Sequence, residues 1–140
     1  QGDTVIAGYS DDASLKYEGE LPVILFGDHT RRFKLAEQRF VIGADGVKLI
    51  GPTSAWDARF FWHQCQQLNF EDRGYSRHFQ FVRKAVFRLP PLPEQTRIVA
   101  EVERRLSIIE ELEASVTANL QRATHLRQSI LQHAFAGHRA

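Results

Sequence analysis

The last third of the sequence constrains the fold most strongly, because it contains almost no residue that would interrupt a helix. After Pro93 there is no proline, and the next glycine in the sequence is Gly137. Proline is favoured just inside the start of a helix and glycine just past its end. Apolar residues recur through this segment every seven positions, with a second apolar set three or four positions away. The sequence therefore predicts one long amphipathic helix from Pro93 to about Ala136.

The two apolar sets form a face of the kind found in coiled coils, sustained over about four heptads. The first set consists of Val102, Ile109, Val116, Ala123 and Ile130. The second set consists of Ile98, Leu106, Leu112, Leu120 and Leu126. We name these residues the seam, and from Val102 onward they are the predicted subunit interface. Valine and isoleucine in the first set favour a two-stranded pairing.

The predicted helix is too long to be covered by the residues that precede it. At 1.5 Å per residue, about 42 helical residues extend roughly 60 Å, and only about 90 residues remain for the preceding domain. We therefore expect the seam to pack against another chain, a second copy, or a missing part of the same protein. The alternative is a single helix that lies partly against its own domain.

The charge of the predicted helix changes along its length. Residues 94–113 contain six glutamates against three arginines, whereas Arg122, Arg127 and Arg139 follow with no acid. A parallel pair of such helices would place like charges side by side, and an antiparallel pair brings opposite charges together. The charge layout therefore predicts antiparallel self-association, which gives a homodimer through the C-terminal helices.

The residues before the proline run show several short strand patterns. Leu21–Phe26 predicts a buried strand. Arg39–Ile42 and Val47–Ile50 predict two strands of a hairpin, joined by the glycine-containing turn 43–46. Phe81–Leu89 predicts a further strand that leads into the proline run.

One helix is predicted among these strands, from Ala55 to Leu68. Phe61, Cys65 and Leu68 fall on one face of it. Ser54, with Asp57 three residues later, resembles a capping box at its start. Short strands mixed with a helix indicate an α+β fold. We therefore expect a small mixed α/β domain in residues 1–92, followed by one long C-terminal coiled-coil-type helix in residues 93–140.

Basic residues are clustered, although the net charge of the chain is only +1. Residues 73–88 hold five basic side chains and no acid, and residues 31–39 hold four against one glutamate. Local basic clusters in a nearly neutral chain suit contact with a few phosphates of double-stranded DNA. The candidate DNA-binding residues are Arg31, Arg32, Lys34, Arg73, Tyr75, Arg77, His78 and Lys84. The alternatives are a solvated surface, and packing of Tyr75 and His78 against the domain.

Motifs that would indicate catalysis are missing from the sequence. It contains no phosphate-binding glycine loop, no nucleophile elbow and no dinucleotide fingerprint. His63 and Cys65 form an H-x-C pair, but the glutamate and later C-x-x-C of zinc deaminases do not accompany it. Gly27–Thr30 is expected to be a turn whose Asp and Thr side chains bond nearby backbone. We expect no catalytic residue, no metal site and no cofactor.

Two further features bear on where the chain works. No apolar run reaches the roughly 18 residues of a membrane span, so we expect no membrane partner. The single cysteine, Cys65, suits the reducing cytoplasm. The sequence also has no methionine, even at position 1, and we interpret the chain as a piece of a longer protein.

Three stretches carry a resemblance to a known family. They are Gly27–Lys34 (GDHTRRFK) with Phe40–Gly46 (FVIGADG), then Gly74–His78 (GYSRH), then Leu89–Gln95 (LPPLPEQ) with Ile98 and Val99. In this order they resemble the specificity subunits of type I restriction–modification systems, in which a proline-marked, structurally constant helix follows a target-recognition domain. Leu89–Gln95 is the most specific stretch, and the resemblance covers about Ile6 to Ala136.

The resemblance implies a non-catalytic subunit that recognises a DNA sequence within a restriction system. In that family two recognition domains are joined by two antiparallel helices, which carry the methyltransferase (modification) subunits and, through them, the restriction subunit. Residues 1–92 would be a partial target-recognition domain, and residues 93–140 the long conserved dimerisation and spacer helix. The chain departs from the family pattern in having one helix and the latter part of one recognition domain. The alternative function is a protein–protein assembly module with a coiled-coil helix and no DNA binding of its own.

Overall fold

The computed structural model describes residues 8–43, 46–70 and 78–136. A short 3-10 turn, Ala13–Leu15, precedes the regular elements of the described residues. These elements are β1 (Val23–Gly27), β2 (Phe33–Ala36), β3 (Val47–Ile50), α1 (Ala58–Gln66), α2 (Phe79–Val82) and α3 (Leu92–Ala136). The architecture is α+β with a long C-terminal helix, which confirms the predicted fold class.

The long helix α3 is continuous from Leu92 to Ala136. It therefore begins one residue before Pro93 and ends where the sequence predicts. The chain divides into two compact units, Gln1–Val99 and Ala100–Ala140. The first turns of α3 belong to the first unit, and the rest of this helix belongs to the second. No described helix is long and apolar enough to cross a membrane.

The three strands form one antiparallel sheet in the order β2-β1-β3. Ile24 of β1 lies opposite Leu35 of β2 on one side and Ile50 of β3 on the other. Val23, Ile24 and Phe26 are buried, because β1 is the central strand. The predicted strand at Leu21–Phe26 is confirmed with its bounds moved toward Gly27, and the strand at Val47–Ile50 has the predicted bounds.

The predicted hairpin between Arg39–Ile42 and Val47–Ile50 is wrong. Val41 forms an isolated bridge with Lys16, and the backbone N–H of Tyr17 donates to the carbonyl of Phe40 over 2.8 Å. β3 pairs with β1 instead. A glycine-containing connection permits a hairpin but does not require one, because a short strand takes the partner against which its apolar side can be buried.

The core of the first unit lies between the sheet and α1. Ile24, Phe61 and Cys65 are its buried centre. Six partly buried hydrophobic side chains pack around it: Phe33, Leu35, Ile50, Trp56, Trp62 and Phe87. The inward orientation predicted for Phe61 and Cys65 is confirmed, and Leu68, which follows the helix, is half-buried. Full burial of a large apolar side chain contributes roughly 1.5–3 kcal/mol, so this cluster stabilises the unit more than its exposed ion pairs do.

Helix α1 is shorter than predicted, and its N-cap is Asp57 rather than Ser54. The side chain of Asp57 accepts from the backbone N–H groups of Arg59 and Phe60. The preceding residues form a turn, in which the N–H of Trp56 donates to the carbonyl of Thr53 over 2.9 Å. Aspartate is as good an N-cap as serine, and the position whose side chain reaches two free N–H groups starts the helix.

The strand predicted at Phe81–Leu89 is also wrong. Phe79–Val82 is a single helical turn, α2, and the chain continues through further turns without joining the sheet. Phe87 then packs edge-on against Phe61, with ring centroids 5.0 Å apart. Aromatic and β-branched residues favour a strand only where they can pack on a sheet, and Phe87 makes ring contacts with the core instead.

Candidate functional site

The β1–β2 connection is a tight turn that carries Arg31 and Arg32 of the basic cluster at residues 31–39. The N–H of Gly27 donates to the carbonyl of Arg32 over 3.0 Å, and the N–H of Arg31 donates to the carbonyl of Gly27 over 2.8 Å. Arg31 has a φ of 58°, a conformation that L-residues rarely adopt. A Cβ at Gly27 would overlap the Thr30 hydroxyl, so any other residue there would force the Thr30 side chain to move.

Asp28 fixes this turn to a distant part of the chain. Its side chain is buried, and Oδ1 accepts from the N–H of Phe79 over 2.8 Å. The Nδ1 of His78 lies 3.1 Å from the Asp28 carbonyl oxygen, which can only accept a hydrogen bond. The expectation of a turn at Gly27–Thr30 is met, but only Thr30 bonds nearby backbone, over 3.5 Å to Gly27. The Asp28 side chain bonds across more than 50 residues of sequence.

The predicted DNA-binding residues occupy different environments. Arg32 and Lys84 are exposed, and Arg31 and Lys34 are half-buried. His78 is 1% exposed, and its ring lies against Phe70 and Phe81. His78 therefore packs against the domain, which was one of the two alternatives that the sequence left open. Arg73, Tyr75 and Arg77 lie outside the described residues.

The start of α3 is held by a completely buried glutamine. Gln95 accepts from the N–H of Asp57 over 2.8 Å, and its amide nitrogen donates to the carbonyls of Ala55 and Pro90 over 2.9 and 2.8 Å. All three bonds lie within the first unit. Gln95 belongs to the Leu89–Gln95 stretch, but no sequence pattern predicts that its side chain bonds the loop before α1.

A second glutamine holds the segment before α3. The amide nitrogen of Gln64 donates to the carbonyl of Arg88 over 2.6 Å, and its oxygen accepts from the N–H of Arg88 over 3.0 Å. Beside this pair lies an open, mainly apolar groove. The lining residues are Phe60, Gln64, Arg88, Leu89, Pro90 and Ile98. Ile98 is also the first seam residue, so the groove and the seam share a side chain.

The seam is exposed along most of α3. Leu106, the least exposed of its leucines, is 44% exposed, and Leu120 is 65% exposed. The remaining large seam residues in the second unit, Ile109, Leu112, Val116, Leu126 and Ile130, lie between these values. Val102 is half-buried and Ala123 is exposed. Contiguous exposed apolar surface of this extent is uncommon in a folded monomer.

Beyond the first residue of α3, Leu92, three large exposed apolar residues of this helix lie outside the predicted seam. Ile108, Leu131 and Phe135 are 45%, 47% and 75% exposed. The heptad pattern missed them because their positions do not recur every seven residues. A search for large apolar residues next to the seam would have found Ile108 and Leu131, which adjoin Ile109 and Ile130.

The polar side of α3 carries ion pairs between residues three or four positions apart. Arg97 bonds Glu94, while Arg104 and Arg105 both bond Glu101. These hydrogen bonds lower the pKa of Glu101 to about 2 and lower the pKa of Glu94 as well. Pairs of this spacing stabilise an exposed helix modestly. They lie along the same helix as the exposed apolar seam, which is the arrangement of an amphipathic helix.

The described residues offer no site for metal chemistry. Among residues 8–43, 46–70 and 78–136, no three His, Cys, Asp or Glu side chains are placed to hold a metal ion. Burial raises the pKa of the Cys65 thiol to about 12, so Cys65 stays protonated at neutral pH. A protonated thiol is neither a good nucleophile nor a metal ligand.

Comparison with protein-family models, curated proteins and solved structures finds no match for this chain. The functional assignment therefore depends on the quoted motifs and on the geometry of the described residues.

Proposed function

We propose that this chain is part of a non-catalytic DNA-recognition subunit similar to the specificity subunits of type I restriction–modification systems. The observation that carries the proposal is the position of Gln95. The most specific stretch of the resemblance ends on this residue, which is completely buried and makes three hydrogen bonds where α3 begins. This supports the proposal because a structurally constant helix needs a defined start, and its exposed seam then offers a surface to other subunits.

DNA contact is assigned to the basic turn between β1 and β2. Arg31 and Arg32 lie on this connection, whose backbone is fixed by Asp28, and Lys34 follows at the start of β2. Arginine and lysine side chains on a rigid turn suit phosphate contact, since little backbone freedom is lost on binding. Lys84 after α2, and Arg73, Tyr75 and Arg77 from the sequence, complete the proposed surface. The buried His78 supports it from inside and does not touch DNA.

Subunit assembly is assigned to the seam. In this proposal α3 associates antiparallel with a second copy and carries the methyltransferase subunits, which in turn bind the restriction subunit. The support is the exposure of Leu112, Val116 and Leu120, each more than half exposed. Burial of each would contribute roughly 1.5–3 kcal/mol to association. Catalysis belongs to the partners, and the protein works in the cytoplasm, where Cys65 remains reduced.

The test is binding to random-sequence duplex DNA, followed by fluorescence anisotropy over a range of salt concentrations. Affinity is expected to fall steeply with salt, because phosphate contacts release counterions. Replacing Arg32 by alanine is expected to weaken binding and to reduce the slope of log K against log salt by about one. The matched control is Lys16→Ala, which removes an exposed cation from a segment rich in acids and is expected to leave the slope unchanged.

The second candidate function is an assembly module without DNA binding, and the exposed seam favours it equally. Anisotropy separates the two. A chain that shows no salt-dependent binding up to micromolar protein, while still associating through α3, would be an assembly module. In a complete subunit, Arg77→Ala is expected to weaken binding to the specific target without unfolding the domain, and an unchanged affinity would remove Arg77 from the proposed surface.

A further inference from the structure

The heptad spacing makes the seam symmetric on reversal about several points, and Ala114 is the centre about which all ten seam residues have a partner. The seam residues are arranged almost symmetrically about Ala114. Pairs at equal sequence distance from Ala114 are Ile98 with Ile130, Val102 with Leu126, and Leu112 with Val116; Leu106 with Ala123 and Ile109 with Leu120 are displaced by one position. A face with this symmetry can lie against its own reversed copy with an apolar residue at or next to every level.

We infer that two copies of α3 pair antiparallel in one defined register, with the two Ala114 residues level with each other at the two-fold axis. Val102 then lies level with Leu126 of the second copy, and Leu112 lies level with Val116 of the second copy. At each level of the pair, a residue of one seam set faces a residue of the other set, or the residue next to one, on the second copy. This inference rests on the self-association in the proposed function and adds the alignment of the two helices.

The neighbouring registers are disfavoured by particular residues. A shift of one heptad in one direction places Leu126 level with Gln95, which is completely buried and bonded to three backbone groups. The opposite shift places Val102 level with His133. In the proposed register both Val102 and Leu126 have apolar partners. Ile130 of the second copy also comes level with Ile98, which extends the apolar surface toward the groove beside Leu89 and Pro90.

The charges of α3 decide the direction of pairing. Residues 101–113 contain five glutamates and two arginines, and residues 115–127 contain two arginines and no acid. The antiparallel register lays the first of these segments along the second segment of the other copy. A parallel pair would lay each segment along the same segment of the other copy, so that the acidic segments would lie side by side. Opposite net charge on facing segments attracts at this range, and like net charge repels.

The register is tested by disulfide formation between engineered cysteines in a Cys65→Ser background. The chain with Val102→Cys and Leu126→Cys is expected to oxidise to a covalent dimer, seen on a non-reducing gel and by mass. A bond within one chain is excluded, because these positions are roughly 36 Å apart along a helix and a disulfide needs Cα atoms within about 7 Å. The controls are Val102→Cys with Asn119→Cys, Val102→Cys with His133→Cys, and Val102→Cys alone. The first two controls would cross-link in the two shifted registers, and Val102→Cys alone would cross-link in a parallel pair.

The result expected is that the 102–126 pair forms a covalent dimer several times faster than any control. Sedimentation equilibrium of the unmodified chain, run alongside, distinguishes the failures. A dimer that cross-links faster through a control pair overturns the register and leaves self-association intact. A chain that stays monomeric with α3 still helical overturns both the register and the proposed self-association, whereas DNA binding is measured separately and is unaffected by either.

Discussion

The backbone N–H of Asp57 donates to the side-chain oxygen of Gln95 over 2.8 Å, which joins the start of α1 to the start of α3. Asp57 is the N-cap of α1, and in a capping box the third helical residue would return a bond to the N-cap N–H. That residue is Phe60, whose side chain has no polar group. The bond to the Asp57 N–H is therefore supplied by Gln95, from another helix. One side-chain amide therefore bonds backbone groups beside the starts of two helices, α1 and α3.

Gln95→Ala is expected to lower the free energy of unfolding of the first unit by about 3 kcal/mol. Three hydrogen bonds of roughly 1 kcal/mol each are lost, at backbone groups of half-buried Asp57 and Pro90 and of exposed Ala55. Chemical denaturation followed by fluorescence measures it, because Trp56 and Trp62 both pack against the core of this unit. The matched control is Gln128→Ala on the exposed part of α3, which should change this unfolding transition little. Equal transitions for the two variants would contradict the role given to Gln95.

Asp28→Ala is expected to destabilise the first unit by about 1–3 kcal/mol, because it leaves the N–H of Phe79 without its acceptor. Asp28→Asn keeps an acceptor oxygen and should lose less. Because Asp28 also positions the basic turn, the alanine variant is expected to bind DNA more weakly even where it is fully folded. Denaturation and anisotropy on the same samples measure both effects, and Asp11→Ala, at an exposed position, serves as the control. A fully stable Asp28→Ala variant would be inconsistent with this account.

The Cys65 thiol is expected to make stability fall at high pH. Burial raises its pKa from 9.0 to about 12, so the folded protein holds this proton more tightly than the unfolded chain does. The contribution is therefore complete below about pH 9 and is lost as pH rises toward 12. Cys65→Ala should show a shallower decline of the unfolding free energy between pH 9 and 11 than the unmodified chain. A thiol reagent should likewise modify Cys65 at pH 8 only after denaturant is added.

The Glu101 carboxyl is expected to stay ionised in acid. Its hydrogen bonds to Arg104 and Arg105 lower the pKa from 4.5 to about 2, so the contribution of these pairs is present above pH 4.5 and is lost as pH falls through 2. Titration of the glutamate side chains by NMR measures this directly. Arg104→Gln together with Arg105→Gln should return the pKa of Glu101 toward 4.5. If the pKa of Glu101 is near 4.5 in the unmodified chain, the two arginines do not form these hydrogen bonds in solution.

Helix α3 and the central strand were predictable because their patterns are local. The heptad spacing from Ile98 to Ile130 needs no other part of the chain to define a helix, and its end before Gly137 follows from backbone chemistry. The apolar run that became β1 is equally explicit. The basic turn after it was also visible as charge, although its rigidity was not.

Tertiary structure alone decided which partner each remaining segment takes. The sequence of Val47–Ile50 does not state that its neighbour is β1. Phe81–Leu89 has strand-forming residues but joins neither β2 nor β3, the two edge strands of the sheet. The side chains of Asp28 and Gln95 bond backbone groups far away in sequence, and no local pattern encodes such a bond. Local spacing sets the preference of a segment for helix or strand, whereas pairing and buried hydrogen bonds depend on which groups the folded chain brings within about 3 Å of each other.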